Sequence, residues 1–142
     1  MRIILDTNVL VAALISRHGA PDTIYRAWRA GRFELITSSA QLDEFRRISR
    51  YPKLRAILRP HLIGTMVNNL NRALIIEKLP ALPDNMDLGD PGDAFLLAMA
   101  AASGADYLVT GDYRAGLLQK GNVGRTRIVN PASFCEETAL EQ

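Results

Sequence analysis

Short apolar runs that stop on an acid or a small polar residue, each followed by a stretch with helical spacing, recur along the whole 142-residue sequence. That alternation restricts the fold more than any other feature. Arg2 to Leu5 reads as a short buried strand ending on Asp6, and Val9 to Ile15 as a helix that Thr7 or Asn8 can cap. Gly19 breaks the pattern, and Pro21 suits the first turn of a second helix ending near Gly31. Phe33 to Thr37 is a second strand. Ser38 with Gln41 three residues on has capping-box spacing for a helix that stops at Tyr51-Pro52. Residues 54 to 71 are helical in pattern, and Ala73 to Glu77 is a third strand.

A loop rich in Pro, Asp and Asn follows to Asp90, where Asp90-Pro91-Gly92-Asp93 reads as a helix start with Asp90 as cap. The helix to about Ser103 is apolar on nearly every face, which predicts deep burial, and Gly104 ends it. Tyr107 to Val109 is a strand running into Thr110-Gly111-Asp112. Arg127 to Val129 is the last strand, before a helix opened by Asn130-Pro131. Strands alternating with helices argue for an α/β layer architecture around a parallel sheet of four to five strands, in one domain over residues 1–142.

The net charge of +2 hides an uneven distribution. Between Arg17 and Arg59 there are ten Lys or Arg residues against four acids, whereas Leu79 to Tyr113 holds six aspartates and no Lys or Arg. Arginine supplies 14 of the 17 cations, and its planar fork suits phosphate. A basic half beside an acidic patch predicts a polyanion partner and a cation site. The longest apolar runs, Ala94 to Ala102 and Val9 to Ile15, are too short to cross a bilayer, and no basic-then-apolar leader opens the sequence. The single cysteine, Cys135, fits a reducing cytoplasm.

Parallel sheets place their ligand sites at the carboxyl ends of the strands. Asp6 and Asp112 fall at two such ends, Asp93 lies at the start of the helix before the second of them, and Glu44 lies on the helix after the second strand. At about 100° per residue, Leu42, Phe45 and Ile48 form the buried stripe of that helix. Glu44 then sits at the stripe's edge and Asp43 points to solvent. Four carboxylates in one cleft stay ionised only beside a hard cation. All-oxygen ligation selects Mg²⁺, Mn²⁺ or Ca²⁺, and Mg²⁺ can activate a water toward a phosphodiester. Asn8, Thr110 and Ser39 are candidate orienting groups. Arg46, Arg47 and Arg50, and more weakly Arg17 with His18, are candidate phosphate contacts. His18 and His61 lack ligand spacing, Tyr25 and Trp28 suit core or dimer packing, and Cys135 suits the core.

The ordered segments Ile4-Leu5-Asp6-Thr7-Asn8, Leu42-Asp43-Glu44-Phe45, Asp93-Ala94-Phe95-Leu96-Leu97-Ala98 and Ala105-Asp106-Tyr107-Leu108-Val109-Thr110-Gly111-Asp112 resemble the PIN domain. More narrowly, they resemble its bacterial VapC-like members, the toxins of toxin–antitoxin pairs. Ser16 to Pro21 and Arg127 to Phe134 extend the resemblance over nearly the whole sequence. It implies a Rossmann-like three-layer α/β/α fold. It implies Mg²⁺- or Mn²⁺-dependent endonuclease chemistry on single-stranded RNA that leaves a 3′-hydroxyl and a 5′-phosphate. It also implies a homodimer and a small antitoxin. By position, the implied catalytic and metal-holding acids are Asp6, Glu44, Asp93 and Asp112, with Asn8 and Thr110 as polar helpers. After Asp112 the sequence departs from the family pattern, with Tyr113-Arg114-Ala115-Gly116 in place of an acidic-then-leucine continuation. Two other readings compete. One is a PIN-like module that holds RNA or a protein without cutting. The other is phosphoryl transfer through a phosphorylated Asp6, disfavoured by Asn8 and by the lack of a suitably placed lysine.

Overall fold

The computed structural model describes residues 1–82, 93–111 and 116–140. Along these, β1 (Arg2–Leu5), α1 (Thr7–Ile15), α2 (Ala20–Arg29), β2 (Glu34–Ser38) and α3 (Ser39–Ser49) come first. They are followed by α4 (Pro52–Arg55), α5 (Pro60–Leu70), β3 (Leu74–Ile76), α6 (Ala94–Ser103) and β4 (Tyr107–Val109). The remainder is α7 (Leu117–Lys120), β5 (Asn122–Val123), β6 (Thr126–Val129) and α8 (Pro131–Glu137).

The strands form one sheet in the order β3-β2-β1-β4-β6-β5. The five strands expected from the sequence pair in parallel, and β5 adds a two-residue antiparallel edge through a hairpin with β6. Neither β5 nor the four-residue α7 is long enough to show a period, so the sequence pattern passes over both.

Alternation of side chains along the strands makes the two cores. Ile3, Leu5, Leu35, Val109 and Val129 face one side, where α1, α2, α3, α5 and α8 cover them with Val9, Leu10, Ile24, Phe45, Met66 and Phe134. Ile4, Ile36, Leu108 and Ile128 face the other, under Leu96, Leu97, Met99 and Ala100 of α6 and Leu117 of α7. The result is the expected three-layer arrangement, with β1 at its centre buried from Ile3 to Leu5. Five successive residues of α6, Leu96 to Ala100, are buried, as its all-round apolar sequence requires. Gly104 ends that helix with a left-handed φ of 60°, a conformation open to glycine without a Cβ clash.

Two local readings change. Residues 54 to 71 are not one helix: Arg59 is extended (ψ 135°) ahead of Pro60, because a proline ring disfavours helical geometry in the residue before it. The cap of α1 is Asp6 rather than Thr7 or Asn8. The Asp90 cap and its Pro91 lie outside the described residues. No helix among the described residues is long and apolar enough to cross a membrane.

At the amino ends of the strands, Asp106 accepts a 2.9 Å hydrogen bond from the Arg2 N–H and pairs with Arg125 at 2.6 Å. The Arg2 N–H above all holds its carboxyl below the usual carboxylate range; burial opposes this, and the Arg125 guanidinium adds to the lowering. A group whose pKa is depressed on folding stabilises the protein above its unfolded pKa of about 3.9, and the gain fades as pH falls through the lower folded value. Asp106→Asn is therefore expected to lower the melting temperature at neutral pH. The gap to the unsubstituted protein should stay constant down to about pH 4 and close below it, as thermal melts across pH will show.

Candidate active site

The strand order reverses direction between β1 and β4, and there the carboxyl ends of neighbouring strands open a crevice. Asp6 stands at that point. Its N–H donates to the Val109 carbonyl of β4 at 2.8 Å, and its own carbonyl accepts from Val9 and Leu10 to start α1. Its carboxylate makes no capping bond to α1; it accepts a 2.7 Å hydrogen bond from the Thr110 hydroxyl. Asp6 is 8% exposed and Thr110 fully buried, so this charge-assisted bond forms away from bulk water. Thr110 is held in turn by its N–H to Val129. The sequence-derived pair Asp6 and Thr110 is thus one unit spanning the crevice.

Glu44 approaches from the other side. On α3, Leu42 and Phe45 are buried, Asp43 is 81% exposed and the Glu44 side chain 24%, as the helical wheel requires. Glu44 Oε2 accepts from the Thr7 hydroxyl at 3.3 Å, and Oε1 lies 3.8 Å from Arg47. Glu44 is thereby fixed beside the residue that follows Asp6. Asp93 caps α6 by position and is 6% exposed. Because α6 runs back to the amino end of β4, Asp93 lies at the end of that helix toward the carboxyl side of the sheet. Asn8 is exposed, and its Oδ1 lies 3.9 Å from where a Cβ would stand on Gly111, next to the segment that leads to Asp112. Asp112 itself lies outside the described residues. Among the described residues, no three Asp, Glu, His or Cys side chains come close enough together to ligate one ion.

The arginines divide. Arg46 pairs with Asp43 at 3.9 Å, whereas Arg47 reaches Glu44 and also donates to the Tyr51 hydroxyl with its guanidinium over the ring. Arg50 is exposed. Arg17 follows the far end of α1, about 14 Å along the axis from Asp6. His18 lines a groove of about 580 Å³ along α2 with Asp22, Arg26, Arg32 and Leu140. A second groove of about 530 Å³ opens at the starts of β1 and β2. Trp28 is buried against Tyr25, and Cys135 is buried in the core. Burial pushes the Cys135 thiol pKa up, toward an inert thiol.

The residue that the sequence reading undervalued is Gln41. Ser38 caps α3 by accepting from the Gln41 N–H at 3.1 Å, but the Gln41 side chain does not return to Ser38 as a capping box would have it. Its amide donates to the Leu5 carbonyl at 2.6 Å and accepts from the Thr37 hydroxyl at 2.6 Å, tying the end of β1 to the end of β2. The signal was available, since Gln41 lies four residues before Phe45 on the buried stripe, and a buried glutamine there must find partners. Gln41→Met is expected to cost about 1–3 kcal/mol, the scale of leaving buried polar groups unmade, by chemical denaturation.

A family model for the PIN domain matches residues 2–114. A search of curated proteins returns no match. Among solved structures, the chain is similar to one in the crystal structure of VapBC2 from Rickettsia felis bound to a DNA fragment from their promoter. The two share 20% identity over 92% of this chain and 98% of that one, with a TM-score of 0.52. The likeness is one of fold, and it agrees with the family match over β1 to β4. With a three-layer sheet, a buried aspartate at its switch point and a matching family model over most of its length, this chain belongs to the PIN-domain family.

Proposed function

We propose that this chain is a single PIN domain acting as a Mg²⁺- or Mn²⁺-dependent endoribonuclease on single-stranded RNA. In this reading it is a cytoplasmic, homodimeric toxin held in check by a small antitoxin. The observation that carries the reading is the Asp6–Thr110 unit: a buried carboxylate that accepts from the Thr110 hydroxyl, at the crevice where α/β sheets bind ligands. Toxin–antitoxin membership is supported by the fold likeness to a chain of VapBC2.

The donor set fits a hard divalent cation. Asp6, Glu44, Asp93 and Asp112 offer only oxygen ligands, and two of the three described acids are buried, where an unneutralised carboxylate is costly. A bound Mg²⁺ or Mn²⁺ would polarise the scissile phosphate and supply a nucleophilic water at neutral pH. The protein's own contribution is positional. Thr110 fixes the Asp6 carboxylate, Thr7 and Arg47 fix Glu44, and Asn8 stands at the rim beside Gly111. Burial of Asp6 excludes competing water from that side.

Asp93→Asn keeps shape and removes one charge. With fluorescein-labelled single-stranded RNA and Mn²⁺, it is expected to slow cleavage on the order of a hundredfold or more, the scale of losing one preorganised charge-stabilising group. A thermal melt close to that of the parent would show that the fold persists. Cleavage by the unsubstituted protein should stop on adding a chelator. Undiminished cleavage by the Asn variant would refute the assignment of Asp93. A parent protein that binds RNA but never cuts it would select the non-cleaving module instead.

A further inference from the structure

We infer that the elbow joining α3 to α5 is a docking track for single-stranded RNA, with Arg50, Lys53, Arg55 and Arg59 on its phosphates and the Tyr51 ring under a base. The inference rests on the ribonuclease reading for the identity of the polyanion, and on the geometry of the elbow for its place.

Charge is the first observation. From Glu44 to Glu77 there is no intervening acid, while seven Lys or Arg residues occur. The structure then separates them by task. Arg46 and Arg47, nearest the candidate site, are spent on Asp43 and Glu44. Among the described residues, Arg50, Lys53, Arg55 and Arg59 make no ion pair, and all four are exposed.

The elbow is held from beneath. Leu58 is 4% exposed and Leu54 packs on the same core, with the Leu58 N–H donating to the Leu54 carbonyl at 2.7 Å. Anchoring these two fixes the turn and leaves the cations on its outer surface. Tyr51 and Ile57 are exposed among them, at 44% and 54%. An exposed ring set among cations without carboxylates suits unpaired bases on a phosphate backbone.

Continuity with the site is the last observation. The Tyr51 hydroxyl accepts from Arg47, whose guanidinium also lies 3.8 Å from Glu44. A strand lying on the elbow is led directly to Glu44.

The test is fluorescence anisotropy with a short labelled oligouridylate in a chelator, so that binding is read without cleavage. The elbow variant Lys53→Gln/Arg55→Gln/Arg59→Gln should bind about tenfold or more weakly, and the slope of log affinity against log salt should fall by about 2, near 0.7 per lost phosphate contact. The control Arg29→Gln/Arg32→Gln/Arg72→Gln removes equal charge elsewhere and should keep the slope. Tyr51→Ala should weaken binding about tenfold, and Tyr51→Phe, which keeps the ring, should not. Equal losses from the elbow and control variants, or no binding by the parent protein, would overturn the track. Track-dependent binding without cleavage would remove the ribonuclease reading and leave the track. Metal-dependent cleavage with track-independent binding would do the reverse.

Discussion

The hydrogen bond from Thr110 to Asp6 joins the two strands whose divergence makes the crevice, and the rest of the site is arranged around it. A carboxylate buried to this degree loses most of its hydration, and a charge-assisted bond at 2.7 Å returns part of it, about 1.5–3 kcal/mol. The geometry needs β1 and β4 to be neighbours in one register, with Leu5 beside Val109, and that register follows from which side chains face each core. A slip of one residue would turn Ile4 and Leu108 away from α6 and carry Asp6 out of reach of Thr110. Packing of the sheet and chemistry of the site are therefore the same constraint.

A second tie works on the other flank. Gln41 bridges the Leu5 carbonyl and the Thr37 hydroxyl, so the ends of β1 and β2 cannot spread without breaking a buried network. Glu44 lies about one turn further along the same helix, so its backbone position depends on the Gln41 junction. Thr7 closes the loop from α1. Asp6 and Glu44 are thus set by two buried hydrogen-bonded junctions rather than by flexible loops.

Much of this was legible in residue order. Asp6, Glu44 and Thr110 stand out by their places at strand ends or on a helix edge, because period 2 and period 3.6 determine which side chains face a core. Asp43 and Glu44 were told apart by angle alone. Residue order marks Gln41 only as a local capping partner, since capping-box spacing concerns one helix end and the actual partners, Leu5 and Thr37, lie at the ends of β1 and β2. The split between α4 and α5 shows the opposite weakness: an apolar period continued across Arg59-Pro60, and backbone sterics overruled it. Engagement of Arg46 and Arg47 with Asp43 and Glu44 was likewise invisible, because sequence spacing shows which charges are near but not which are already satisfied.

At the edge that carries the acids, β1 passes into α1 through Asp6 alone, and β2 passes into α3 with no residue between. Those junctions have no room for insertion or deletion without dragging a carboxylate out of place. Divergence on the Asp6–Glu44 flank is thus channelled into substitution, because a change of length there would move both carboxylates at once.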